Sequence, residues 1–340
     1  MALHEIWPQA PLYTSVYDPK KAKWAKVFNV IPSWLQYIPF AKNHHQLLSL
    51  LTPHAFRKFD LSQYELVISI TSAEAKTLSL PKNVKHICYC LTPTRYLWSQ
   101  KANYEDLGLR GRILKISSPF SRMLDFSTAT KINKIISIST YIEKQVYKYY
   151  LRESDVIFPP VEVTTEKEAI KPLINNYYLV VSRLVSYKRI DLAIKACEKL
   201  HRKLVVVGIG EEEASLKKLA GKHTVFAGHL TERELAGYYM HCKALLFPGL
   251  EDFGITPLEA QAYGKAVIAY GRGGVLDTII DKETGLFFHN QNETSLIRAI
   301  MEFEKSTFDS KKCKINSEKF GKTNFKRQFK QYIEKYMNEN

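Results

Sequence analysis

The sequence predicts an α/β fold of two Rossmann-like domains, each a parallel sheet with helices on both faces. Three observations predict it. Short apolar runs alternate with amphipathic helical stretches, most cleanly in the second half, which is the pattern of strands joined by helical crossovers. Glycine-containing loops stand at the ends of those apolar runs, where ligands of doubly wound sheets bind. A length of 340 residues is enough for two separate cores.

Taken in order, residues 1–10 read as the end of a helix stopping at Pro8, and residues 12–16 as a short strand. Residues 19–42 set Lys20, Lys21, Lys23 and Lys26 among Trp24, Phe28, Trp34, Tyr37 and Phe40. Basic residues interleaved with aromatics suit an anionic bilayer surface. The alternative is a packed helix pair with a solvated lysine face, and Pro32 and Pro39 interrupt any long helix there. Residues 65–70 form a buried strand, followed by a helix expected over 71–78. Residues 85–90 form the next strand and run into Leu91-Thr92-Pro93-Thr94-Arg95. Residues 134–137 are the last strand of this half and 141–150 a helix. Pro159 and Pro160 stiffen residues 156–161 and mark them as the connection between domains.

The second half predicts strands at 177–182, 203–207 and 224–226 and helices at 189–200 and 211–220. Gly208-Ile209-Gly210 ends the second of these strands, but a G-x-G without its third glycine is weak evidence for a nucleotide. Thr231-Glu232-Arg233-Glu234 has the form of a capping box. The tail, 306–340, reads as one final amphipathic helix with Phe320, Phe325, Phe329, Tyr332, Ile333 and Tyr336 spaced for packing.

The most informative stretch is 243–278. A strand at 244–247 leads into a loop carrying Glu251, Phe253, Gly254 and Ile255. A helix is expected to open at Thr256 and Pro257, with Glu259 in its first turn, and to stop at Gly264. Another strand, 266–270, is followed by Arg272, Gly273 and Gly274. Proline fits the first helical position because its missing N–H would have no partner there. The free N–H groups and dipole of that turn make an anion site, and the two carboxylates can accept hydrogen bonds from hydroxyls. Thr256 to Glu259 also has the form of a capping box, which needs no ligand.

The charge balance is strongly basic, with 49 Lys and Arg against 34 Asp and Glu, formally +15. Anionic partners follow: nucleic acid, acidic membrane or phosphorylated substrate. No nucleic-acid-binding signature accompanies the charge, so a membrane surface and a nucleotide diphosphate are favoured. No run approaches the ~18 apolar residues of a membrane span. The start lacks the basic and apolar regions of a signal peptide. The five cysteines are scattered without zinc spacing. Reduced thiols are expected, with Cys88 and Cys90 on opposite faces of their strand and no metal site.

Glu251 and Glu259, with Phe-Gly-Ile-Thr-Pro-Leu between Asp252 and Glu259, resemble the signature of retaining glycosyltransferase family 4, in particular its bacterial O-antigen mannosyltransferase branch. That resemblance implies the GT-B architecture, two Rossmann-like domains facing a cleft. It implies an acceptor-side domain at 1–158, truncated at its start because a first strand and Gly-rich turn are missing. A nucleotide-sugar-binding domain follows at 159–318, and a helix at 319–340 crosses back to the first domain. Arg183 and Lys188 match the family's basic pair on the donor diphosphate, and Gly228 the position where the base packs. Leu91 stands where relatives commonly carry histidine.

The expected function is transfer of a hexose, mannose first, from GDP-mannose or a UDP-sugar to a glycan or lipid-linked acceptor in cell-surface polysaccharide synthesis. Arg183, Lys188 and Glu251 are the expected catalytic residues. Glu259, Gly228, Phe253, Gly254, Ile255, Thr256, Gly273 and Gly274 are the expected donor-binding ones. The leaving phosphate can take the acceptor proton, so neither a metal nor a separate cofactor is expected. The expected location is cytoplasmic, with peripheral contact to the inner membrane face and no nucleic acid as partner. Two rival classes are a nucleotide-sugar-binding protein without turnover, which Leu91 favours, and a nucleic-acid-binding protein, which only the charge favours.

Overall fold

The computed structural model describes residues 1–44, 48, 51–99, 108–162 and 169–339. The chain divides into two compact units, Met1–Phe158 with Lys326–Asn340, and Pro159–Phe325.

In the first unit, helix α1 (Ala2–Ile6) precedes strand β1 (Leu12–Thr14), which pairs in parallel with β2 (Val30–Pro32). Short helices α2 (Ala41–His44) and α3 (Thr52–Arg57) follow. A parallel sheet then forms in the order β3 (Leu66–Thr71), β4 (Lys85–Cys90), β5 (Lys134–Ser137) and β6 (Asp155–Val156). Helix α4 (Gly108–Lys131) connects β4 to β5, and α5 (Thr140–Tyr150) connects β5 to β6. Ser139 caps α5 by accepting the Ile142 N–H at 3.0 Å. Alternation along β4 sends Ile87 and Tyr89 to one face and His86, Cys88 and Cys90 to the other. Tyr89 packs edge-on against Phe329 of the C-terminal helix, with ring centroids 5.5 Å apart.

The opposite face is polar and fully tied. Lys76 and Asp125 form a buried ion pair at 2.7 Å. Asp125 also accepts from Thr94 Oγ1 at 2.9 Å, Trp98 Nε1 at 2.8 Å and the Tyr150 hydroxyl at 2.8 Å. Burial alone would raise the Asp125 pKa, but the Lys76 ammonium and these donors outweigh it and hold the carboxyl below its usual range.

Several expectations for this unit are corrected. The helix expected over 71–78 is only a 3₁₀ turn, Glu74–Lys76. Lys76 Nζ folds back onto the Ala73 carbonyl at 2.7 Å as well as onto Asp125, which ties the turn down before a helix can extend. Cys88 and Cys90 share a face, because residues two apart in a strand point the same way. Each thiol acts on the other, holding that of Cys88 low and, together with burial, pushing that of Cys90 up. Residues 19–42 are not a helix pair: the turns Lys23–Val27 and Trp34–Tyr37 flank β2. Val156 belongs to β6 rather than to a free connection.

In the second unit, β7 (Tyr177–Val181), α6 (Ile190–Leu200), β8 (Lys203–Val207), α7 (Glu213–Leu219), β9 (Thr224–Gly228) and α8 (Glu232–His241) alternate. They continue with β10 (Leu245–Phe247), α9 (Ile255–Ala262), β11 (Val267–Tyr270), α10 (Val275–Thr278), β12 (Gly285–Phe288) and α11 (Glu293–Phe303). Among the described residues the sheet order is β12-β11-β10-β7-β8-β9, all parallel. Tyr177 and Leu179 face one core with α8 and α9, and Tyr178 and Val180 face the other with α6 and α11. Both sheet faces are therefore covered, as all-parallel sheets require. The capping box at the start of α8 forms as the sequence predicts.

The tail is two helices rather than one, α12 (Ser310–Glu318) and α13 (Lys322–Glu339). Phe320 lies between them and packs against Phe253 at 5.8 Å. From Lys326 onward α13 belongs to the first unit, where Tyr332 donates to Asp155 at 2.6 Å.

Candidate functional site

The chain order of the second sheet reverses between β7 and β10, which are neighbours although β8 and β9 intervene in sequence. Such a switch point leaves a crevice at the strands' carboxyl ends, because the two following loops run to opposite sides. The loop after β7 carries Arg183 and Lys188, and the loop after β10 carries Glu251. The topology thus brings two of the three predicted catalytic residues together: Lys188 Nζ donates to Glu251 Oε1. The pair is mostly shielded, with side chains 17% and 15% exposed.

Glycine lets these loops approach. A Cβ on Gly249 would stand 3.0 Å from Lys188 Cα, so the β10 loop lies directly against the lysine backbone. Gly249 is not among the expected site residues, and its place just beyond the apolar run of β10 is the sequence signal for it. On the other side, the backbones of Glu251 and Gly273 bridge in parallel, and the Gly274 N–H donates to the Glu251 carbonyl at 2.8 Å. A Cβ on Gly274 would fall 2.3 Å from Phe253 Cα, and one on Gly273 2.4 Å from the Glu251 carbonyl oxygen. The predicted residues Glu251, Phe253, Gly273 and Gly274 therefore form one interlocked pair of loops.

Gly208 and Gly210 have a packing reason of the same kind. Their Cβ atoms would come within 1.9 Å of the Ser182 carbonyl oxygen and 2.3 Å of that of Leu184. They allow the loop after β8 to lie on the loop that carries Arg183. Gly228 ends β9 at φ +66, and its carbonyl accepts the Gly208 N–H at 2.8 Å.

Arg183 is exposed and donates to the Tyr187 hydroxyl at 2.9 Å, so it does not join the Lys188–Glu251 pair directly. Lys188 also sits 5.3 Å from the centroid of the Tyr187 ring, leaving Tyr187 between the two cations.

The helix after Glu251 differs from expectation. α9 starts at Ile255, one residue early, with Gly254 at φ 104 as its N-cap and no side-chain cap. Pro257 is the third helical residue rather than the first, and Glu259 lies beyond the first turn. The capping box from Thr256 to Glu259 does not form. The physical reason is Gly254: its left-handed backbone turns the chain into the helix before Thr256 is reached. Ile255 is exposed and Thr256 half-buried at the helix entrance.

Glu259 is largely buried and accepts from the Tyr239 hydroxyl at 2.7 Å. Burial pushes its carboxyl up, and the Tyr239 hydrogen bond partly opposes that. Tyr239 stacks on Tyr263 with centroids 5.7 Å apart. Nothing in the sequence spacing pointed to Tyr239, because it reaches Glu259 from α8, a separate helix on the same face of the sheet. Among the described residues no group of three or more His, Cys, Asp or Glu is arranged to hold a metal ion.

The chain shares its fold with GT-B glycosyltransferases. Sucrose-phosphate synthase from Thermosynechococcus elongatus superimposes with a TM-score of 0.72 at 18% identity, over 100% of this chain and 92% of that one. HepE of Anabaena, solved with UDP and glucose, gives 0.67 at 15% identity over 98% and 94%. Residues 161–320, nearly all of the second unit, match the family model described as "Glycosyl transferases group 1". Alpha-1,3/1,6-mannosyltransferase ALG2 of Dictyostelium discoideum is 24% identical over 82% of this chain and 74% of its own length. The chain spans 28% of the length of one curated relative, glycogen synthase of Pseudomonas aeruginosa, and 74% of the Dictyostelium one.

Proposed function

We propose that this protein is a retaining glycosyltransferase that takes a hexose from a nucleotide diphosphate sugar. The observation that carries the reading is the Lys188–Glu251 contact at the switch point, locked by the Gly273-Gly274 loop. Mannose is the favoured sugar, supported by the name of the Dictyostelium relative. A nucleotide donor is supported by the UDP of the Anabaena structure. GDP-mannose is the first donor to try and UDP-sugars the second. The acceptor is a glycan or lipid-linked glycan of a cell-surface polysaccharide.

In the proposed reaction the bond from the anomeric carbon to the diphosphate oxygen breaks, and its electron pair stays on the diphosphate. The acceptor oxygen bonds to the same face of that carbon, and its proton passes to the departing phosphate oxygen. Lys188 and Arg183 stabilise the charge gained by the leaving group, together with the amino end of α9. Glu251 holds sugar hydroxyls and Glu259 the ribose. Two cations supply the charge that a divalent ion would, so EDTA leaves the rate unchanged.

The test is a panel of nucleotide sugars screened for thermal stabilisation and, in parallel, for release of nucleoside diphosphate with a glycan acceptor. Stabilisation and release by one donor support the reading. Stabilisation without release by any donor selects a binding protein that does not turn over, the alternative that Leu91 favours.

Peripheral membrane contact belongs to the same reading. Trp24, Tyr37 and Phe40 are 57%, 84% and 78% exposed, while Ala25, Leu35 and Ala41 anchor the segment in the core. Lys20, Lys21, Lys23, Lys26 and Lys42 are exposed around them, and the stretch holds no acidic residue. Exposed aromatics with cations alone suit an anionic bilayer. Among the described residues no helix is long and apolar enough to cross a membrane. Co-sedimentation with phosphatidylglycerol vesicles, lost on Trp24→Ser with Phe40→Ser, checks this.

A further inference from the structure

The first unit holds a polar recess of its own, a cavity of about 650 Å³. Val84, His86 and Asn133 line it, which places it beside the amino ends of β4 and β5. Ligands of doubly wound sheets bind at the other, carboxyl ends. The recess exists because of the crossover from β3 to β4. A parallel crossover is usually a helix packed on the sheet. Here only Glu74–Lys76 is helical and the chain from 77 to 84 runs irregularly. That irregular stretch, rather than a packed helix, forms one wall of the recess.

The chemistry of the walls is one-sided. Arg57, Lys76, Lys82 and Lys131 line the recess, and no carboxylate does. Lys76 is buried and already neutralised by Asp125. Arg57, Lys82 and Lys131 are exposed at the rim, and among the described residues none of them is in an ion pair. Thr128 and Asn133 add polar groups. Asn133 Oδ1 accepts the His86 N–H at 2.7 Å, which leaves its amide nitrogen to donate. Three like charges around one concavity repel each other, and an anion set among them relieves that repulsion. Arg57 and Lys131 close the last turns of α3 and α4, where a cation is favoured in any case. Lys82 has no such local reason.

We propose that this recess binds the phosphate or diphosphate group of a phosphorylated molecule. Arg57, Lys82 and Lys131 supply the charge, and Thr128 and Asn133 the hydrogen bonds.

The experiment is calorimetric titration of the full chain with pyrophosphate at fixed ionic strength. If the donor site also takes pyrophosphate, wild type shows a second, independent binding event. Lys82→Glu with Lys131→Glu removes the recess event, or weakens it at least about tenfold, and leaves the other. Arg183→Ala with Lys188→Ala does the reverse. Lys305→Glu with Lys311→Glu, at exposed positions away from both sites, makes the same change in net charge and keeps both events. The proposal is overturned if the Lys82/Lys131 variant binds like wild type, or if the Lys305/Lys311 control weakens binding equally. No effect of the Arg183/Lys188 variant sinks the donor site and leaves the recess standing. Competition then identifies the source of the phosphate. Dihexanoyl phosphatidic acid displacing pyrophosphate better than glycerol 3-phosphate assigns a lipid headgroup, and the opposite order a soluble phosphate ester.

Discussion

Lys188 donates a hydrogen bond to the carboxylate of Glu251, 63 residues further along the chain. The contact exists because β7 and β10 lie side by side, so the loops that leave them open onto one crevice. Lys188 has donors beyond the one that Glu251 accepts, and these can hold a diphosphate while the pair stays intact.

Lys188→Ala is therefore expected to lower turnover by about 10²–10³, the usual loss when one group stabilising transition-state charge is removed. Arg183→Ala, at an exposed position, is expected to cost less. Steady-state kinetics with the identified donor read both, and circular dichroism confirms that the variants are folded. Wild-type turnover in the double variant rules out the diphosphate role.

Gly274→Ala tests the loop lock. The added Cβ would meet the backbone of Asp252 and Phe253 at 2.3 to 2.4 Å, and backbone cannot swing aside as a side-chain end does. The loop carrying Glu251 must shift, at a cost of about 1–3 kcal/mol. Loss of donor-induced thermal stabilisation, larger than the fall in Tm of the free protein, is the expected result.

Asp125→Ala leaves Lys76 charged and buried and strips the Thr94, Trp98 and Tyr150 donors of their acceptor. Breaking a buried pair from one side costs about 3–5 kcal/mol. Denaturant unfolding should show the first unit destabilised by that order. A loss below 1 kcal/mol would mean that water reaches the pair.

His86 gives the chain an acid-sensitive point. Burial, and then the Lys76 charge, lower its pKa from 6.5 to about 4. The unfolded chain therefore takes up a proton that the folded one refuses. Stability is fully present above pH 6.5 and falls as the pH drops through about 4. The loss is about 3 kcal/mol once both states are protonated. His86→Gln should flatten the stability profile between pH 6.5 and 4, read by urea titration at each pH.

Much of this architecture was legible in the residues. The runs that become β4, β5 and β8 match the expected strands, because an apolar run closed by polar or glycine residues has few other uses. Errors gathered where a long-range contact overrode local preference. The turn at Glu74–Lys76 stops short because Lys76 reaches Asp125, a partner 49 residues away in sequence. α9 begins early because Gly254 takes a left-handed backbone, and the tail breaks at Phe320, which packs on Phe253.

What the sequence determined alone was most strands of the second sheet, several of the first, and the residue types at their ends, since periodicity, proline and glycine act within a few residues. Strand order, and with it the meeting of Lys188 and Glu251 and the placing of Tyr239 under Glu259, was decided only by the tertiary structure. Those contacts join segments with no local relation, and only the packing of helices on both faces of the sheet fixes which loops become neighbours.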